Sequence, residues 1–137
     1  MDIFIKVKST TFSRDFGHDK TEFECTGRLE EKNGKKYVRY KEPDTNESVG
    51  ADVTLKLDDS VTLMRSGETK SHFVFKKDET HISKYLTPYG DFLMKVKAVR
   101  VKIVITDEGG EIDLGYKLTI NEGEPVSNNF YLTYTIK

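Results

Sequence analysis

Apolar and polar side chains alternate along most of this chain, and that alternation limits its fold more than any other feature. Ile3, Ile5 and Val7 are interleaved with Lys6 and Lys8. Phe23, Cys25, Gly27 and Leu29 are interleaved with Glu22, Glu24, Thr26 and Arg28. The pattern returns in Val53, Leu55 and Leu57, in Ile112 through Ile120, and in Phe130 through Ile136. A period of two sends successive side chains to opposite faces of a strand. One face is then buried and the other wet, which points to antiparallel rather than parallel sheet. No long segment carries a helical period; a short helical turn is expected only near Ser13–His18.

Turn signals separate the runs. Asn33-Gly34 suits the positive-φ pair of a type I′ hairpin turn. "LDDSV" at 57–61, "KKDET" at 76–80 and "DEGGE" at 107–111 read as further hairpins, with a longer turn in "NEGEPVSN" at 121–128. "EPDTNES" at 42–48 reads as a polar loop. Strands are expected near 2–12, 20–31, 35–42, 51–58, 60–66, 69–76, 80–86, 91–106, 110–120 and 127–136. Short connections give an up-and-down meander, and closure removes its sticky edges. The expected architecture is one domain, 1–137, all-β: a single antiparallel barrel of about 8–10 strands. Such an interior is either filled by side chains or holds one small ligand.

One run breaks phase. In "LMKVKAVRVKIVIT" the apolar set is Met94, Val96 and Ala98, then Val99, Val101, Ile103 and Ile105. A strand changes face only through a bulge or a break, so a bulge is expected between Ala98 and Val99.

Composition excludes several functions. Net charge is −1, without the basic excess of a nucleic-acid binder or a polybasic membrane patch. The single cysteine, Cys25, forbids an internal disulfide framework. "MDIFIKVKS" lacks the form of a signal peptide, and no apolar run reaches membrane-helix length. The expected location is the cytoplasm.

Four stretches carry a family resemblance: "TPYG" at 87–90, "DEGGEIDLGYKLTIN" at 107–121, "VSNNFYLTYTI" at 126–136 and "LMRSG" at 63–67. With them the chain resembles the YwiB-like family of small bacterial proteins of unknown function, over nearly its whole length. The resemblance implies a calycin-like, lipocalin-related β-barrel in the cytoplasm of Gram-positive bacteria. It implies no activity, ligand or catalytic residue.

Catalytic constellations are missing from the sequence: no serine elbow, phosphate-cradling glycine loop or HExxH helix occurs. No acid/base pair is evident, so the chain is read as a non-enzyme without cofactor. Cys25 shares parity with Phe23 and Leu29 and should face the core, where a thiol without a basic neighbour is inert. His72 and His81 flank the "KKDET" turn, but neither hairpin register sets them directly opposite, and no carboxylate completes a zinc site. Lys95, Lys97, Arg100 and Lys102 form an outward basic stripe, expected to be a solvated face that discourages edge pairing.

Candidate ligand contacts come from parity and from "YLTPYG". Arg65 continues the apolar parity of Val61 and Leu63, which turns a guanidinium inward. A buried arginine needs a partner, either an internal acid and tyrosine or a ligand's carboxylate. Arg39, between Tyr37 and Tyr40, has ambiguous phase. Pro88 cannot continue a central strand, so Thr87–Gly90 is a tight corner, with Tyr89 packed over a barrel end or Tyr85 and Tyr89 forming the lip of a cavity. The ligand-binding set is thus Arg65, Tyr85, Tyr89, Arg39 and Tyr40, for a small, partly apolar or anionic molecule. The alternative is a structural or interaction module with a filled barrel, acting through its outer face or as a homodimer.

Overall fold

Among the described residues, period-two alternation resolves into ten strands and no helix. The computed structural model describes residues 1–14, 17–44 and 49–137. The strands are β1 (Asp2–Ser13), β2 (Gly17–Lys32), β3 (Lys35–Lys41), β4 (Asp52–Leu57), β5 (Val61–Ser66), β6 (Ser71–Phe75), β7 (Thr80–Thr87), β8 (Gly90–Ile105), β9 (Gly109–Ile120) and β10 (Val126–Ile136). Each coincides with an expected strand to within a few residues. The expected helical turn falls partly on Asp15 and Phe16, outside the described residues; its flanks are strand, with Ser13 paired to Gly17.

All pairs are antiparallel, in the order β6-β5-β4-β3-β2-β1-β10-β9-β8-β7. Terminal strands β1 and β10 pair along ten positions, Ile3 to Ile136 through Phe12 to Ser127. The meander therefore closes through its own ends, and the remaining gap lies mid-chain between β6 and β7.

That gap corrects the hairpin expected at "KKDET". The turn exists, with Asp78 at φ 65°, but β6 and β7 share no ladder. They meet in one bridge, Lys70 to Leu86, with both backbone bonds formed. Beyond it the Val74 N–H donates to Nδ1 of His81 at 3.4 Å. A side chain thus occupies the position a neighbouring carbonyl would take, and the barrel is nearly closed rather than sealed. It also brings the His72 and His81 rings to 6.1 Å, closer than hairpin registers suggest. Among the described residues no cluster of three or more metal-ligating side chains forms.

Other turns follow their residues. Asn33 and Gly34 both take positive φ, 53° and 78°. Thr87-Pro88-Tyr89-Gly90 is a two-residue hairpin between β7 and β8 rather than a corner between sheets. Thr87 Oγ1 accepts the Tyr89 N–H at 3.1 Å and donates to the Gly90 carbonyl at 2.8 Å. The β8 register shifts between Ala98 and Arg100. The bulge is where expected, but Val99 is the inserted residue and points outward, 45% exposed. Lys95, Lys97, Arg100 and Lys102 all face solvent. Arg100 pairs with Asp113 at 2.9 Å and Lys102 with Glu111 at 3.8 Å.

The inward side chains divide the barrel in two. At one end Ile3, Ile5, Val38, Leu55, Val61, Phe75, Val96, Ile112, Leu114 and Leu132 are all under 2% exposed and fill the space. Phe75 packs on Tyr116, ring centroids 4.7 Å apart, where this packing stops. Beyond that ring the inward positions become aromatic and polar, and the barrel is hollow.

Candidate functional site

The hollow end is a cavity of about 490 Å³, within the usual range of small-molecule sites. Its wall is apolar on one side, with Phe23, Leu63, Phe73, Met94, Leu118 and Phe130. Its polar side carries Tyr40, Arg65, Ser71, Tyr85 and Tyr116 with Glu42. A second hollow of about 520 Å³ continues it to the surface and shares Thr21, Phe23, Glu42, Arg65 and Tyr85. The "TPYG" hairpin stands at this open end.

Strand pairing explains the polar side. Tyr40 is paired with Val53, Val53 with Arg65, and Arg65 with Ser71. These four lie on one rung across β3 to β6, all on inward parity. Glu42 continues the parity of Val38 and Tyr40 two residues on. Its backbone N–H donates to the Ala51 carbonyl at 2.9 Å, which extends the strand pairing past β3. Gly50 makes this close approach possible, because a Cβ there would lie 2.6 Å from the Glu42 carbonyl carbon.

Arg65 Nη2 donates to Glu42 Oε1, so the guanidinium has an internal acid as its partner. Its Nε is buried and has no hydrogen-bond partner among the described residues. A buried donor left unmade costs roughly 1–3 kcal/mol. Burial pushes the Tyr40 phenol well above its ordinary range, with Glu42 adding to the shift and Arg65 opposing it. Burial raises Tyr116 as well, again against Arg65. Both phenols are therefore neutral hydroxyls near pH 7. At the rim Thr11 Oγ1 donates to Asn128 Oδ1 at 2.9 Å, and Asn128 Nδ2 donates to the Val126 carbonyl at 3.0 Å.

Of the five residues singled out from the sequence, Arg65, Tyr85 and Tyr40 line the cavity. Tyr89 does not: it sits at the hairpin tip, 95% exposed, beyond anything it could pack on. Arg39 does not either. Val38 and Tyr40 take the inward parity of β3, which sends Arg39 to the outer face. There its Nε donates to Glu30 at 3.2 Å, its Nη1 to Thr54 at 3.3 Å, and its guanidinium lies over Tyr37. Cys25 is half-buried on the core side, and burial, reinforced by Glu42, pushes its thiol pKa up. Glu42 was hidden in sequence inside a polar loop; the parity of Val38 and Tyr40 was the signal that could have found it.

A barrel packed solid at one end, hollow at the other, and carrying one internal ion pair defines a class of small β-barrel with a candidate ligand cavity. The chain belongs to the family described as a domain of unknown function, DUF1934, whose model matches residues 5–132. It is 26% identical over 132 residues to the uncharacterized beta-barrel protein YwiB of Bacillus subtilis (strain 168), covering 96% of this chain and 92% of the relative. The crystal structure of the ywiB protein from Bacillus subtilis superposes with a TM-score of 0.84 at 26% identity, covering 99% of this chain and 92% of that one.

Proposed function

We propose that the hollow half of the barrel binds one small, partly apolar molecule. Arg65, Tyr40 and Tyr85 are its polar contacts, and Phe23, Phe73 and Phe130 form its apolar bed. The observation that carries this reading is the unpartnered Arg65 Nε, a buried donor on the wall of an open cavity of about 490 Å³. A barrel that needed only to fold would fill this end with side chains, as it fills the other. Binding is favoured over catalysis because the one lumenal carboxylate among the described residues, Glu42, is already held by Arg65.

The test is titration with N-phenyl-1-naphthylamine, an uncharged dye that brightens in apolar surroundings. One dye per chain should bind, and Thr21→Trp should abolish binding by plugging the mouth, where Thr21 borders both hollows. Thr21 is exposed, so the folded barrel tolerates the change. No brightening, or brightening that the plug leaves unaltered, refutes a lumenal site.

A further inference from the structure

The charge of the ligand follows from how Arg65 is already used, given the lumenal site proposed above. Among the described residues only two charged side chains line the cavity, Arg65 and Glu42, and they are paired with each other. A bare lumenal guanidinium would select a carboxylate or phosphate. Here a ligand anion reaching Arg65 Nε would lie beside the Glu42 carboxylate, whose like charge opposes its binding. The approach adds to this barrier. Among the described residues that border the outer hollow, Glu22 is paired with Lys8 and Lys20 and Glu42 with Arg65, which leaves Glu68 as a further negative charge on the approach.

What Nε lacks is therefore an acceptor without a negative charge. We propose that this barrel selects an uncharged ligand with a carbonyl acceptor of the amide or ketone kind on an apolar body, and discriminates against the corresponding carboxylate. The carbonyl takes the Arg65 Nε–H. Neutral hydroxyls of Tyr40 and Tyr116 offer further donors or acceptors without adding charge. Glu42 then acts as a selectivity residue: it cancels the guanidinium that would otherwise draw in anions.

A matched pair tests this, 4-phenylbutanamide and 4-phenylbutanoate, each competing against bound N-phenyl-1-naphthylamine at pH 7. The amide should displace the dye at a concentration at least roughly 10-fold lower than the acid. In Glu42→Gln the preference should invert, because Arg65 is freed and the repelling charge is gone. A thermal midpoint recorded for that variant establishes that it is folded. If the acid competes as well as the amide in the native chain, or the preference is unmoved in Glu42→Gln, the selectivity proposal is overturned while the cavity stands. Dye displaced by neither compound likewise overturns it. Failure of the dye itself to bind removes the lumenal site and this proposal with it.

Discussion

Phe73 and Phe75 are two residues apart on β6, both pointing inward, and they test the division of the barrel in one experiment. Phe75 is fully buried at the filled end against Tyr116; Phe73 is 9% exposed and borders the hollow. Phe75→Ala removes a ring whose neighbours are packed on all sides, so the transfer cost and a residual cavity both count, about 3–5 kcal/mol together. Phe73→Ala enlarges a space that already exists. Only the transfer cost remains, about 1.5–3 kcal/mol. With an unfolding entropy of about 2.1 cal/mol/K per residue, 137 residues give roughly 0.3 kcal/mol per degree. The expected falls in midpoint are then about 10–17 °C for Phe75→Ala and about 5–10 °C for Phe73→Ala. Urea unfolding followed by far-ultraviolet circular dichroism is the assay of choice, since the chain has no tryptophan. Unchanged m-values would license direct comparison of the free energies. Equal losses, within about 0.5 kcal/mol, would mean that the open end closes around Phe73 in solution and that the hollow is not there.

Two further predictions concern the closed end and the seam. A Cβ at Gly110 would lie 2.6 Å from Cζ and 2.7 Å from Oη of Tyr134, a ring only 3% exposed and unable to retreat; Gly110→Ala should cost about 1–3 kcal/mol by urea midpoint, with part recovered in combination with Tyr134→Leu. At the seam, burial and then the neighbouring His72 hold the His81 pKa below its ordinary value. The seam's contribution is complete above the unfolded-state value near 6.5 and declines as pH falls through the folded one. Protonated Nδ1 cannot accept the Val74 N–H. The Val74 amide resonance should therefore follow His81 ring titration, and the stability difference between native chain and His81→Phe should narrow from pH 7 to pH 5; an amide shift indifferent to that titration would remove His81 from the seam.

All ten strands were legible because the signal for each is local. Alternation fixes the strand, Asn33-Gly34 and Pro88 fix the turns, and a parity flip fixes the bulge to within one residue. The seam was not legible in the same way. Whether β6 and β7 pair depends on how a tilted ten-stranded meander meets itself, and on His81 filling a backbone position, neither of which a local pattern encodes. Tyr89 and Arg39 misled for a related reason. An aromatic beside a proline turn resembles part of a site, but Tyr89 stands at a two-residue hairpin tip and has no wall to join. For Arg39 the buried neighbours Val38 and Tyr40 set the phase, and only Arg65 kept the parity of a core.

Inward parity in fact carries more than the fold. On β1 it runs Ile3, Ile5, Val7, then Ser9 and Thr11. On β3 it runs Val38, Tyr40 and on to Glu42; on β5, Val61, Leu63, Arg65; on β10 read backwards, Tyr134, Leu132, Phe130, Asn128. Each series starts apolar at one end of the barrel and turns polar toward the other. A side chain that must be desolvated without a partner is costly, so a strand keeps polar groups on its inward face only where the space beside them is wet or occupied. The position of that change on each strand marks the depth of the cavity, and four strands with different registers agree on the end at which it opens. Nor is the ion pair there explained by stability, because both side chains remain partly exposed and a pair so solvated contributes only about 0–1 kcal/mol. Arg65 and Glu42 are better understood through what they exclude and admit than through what they hold together.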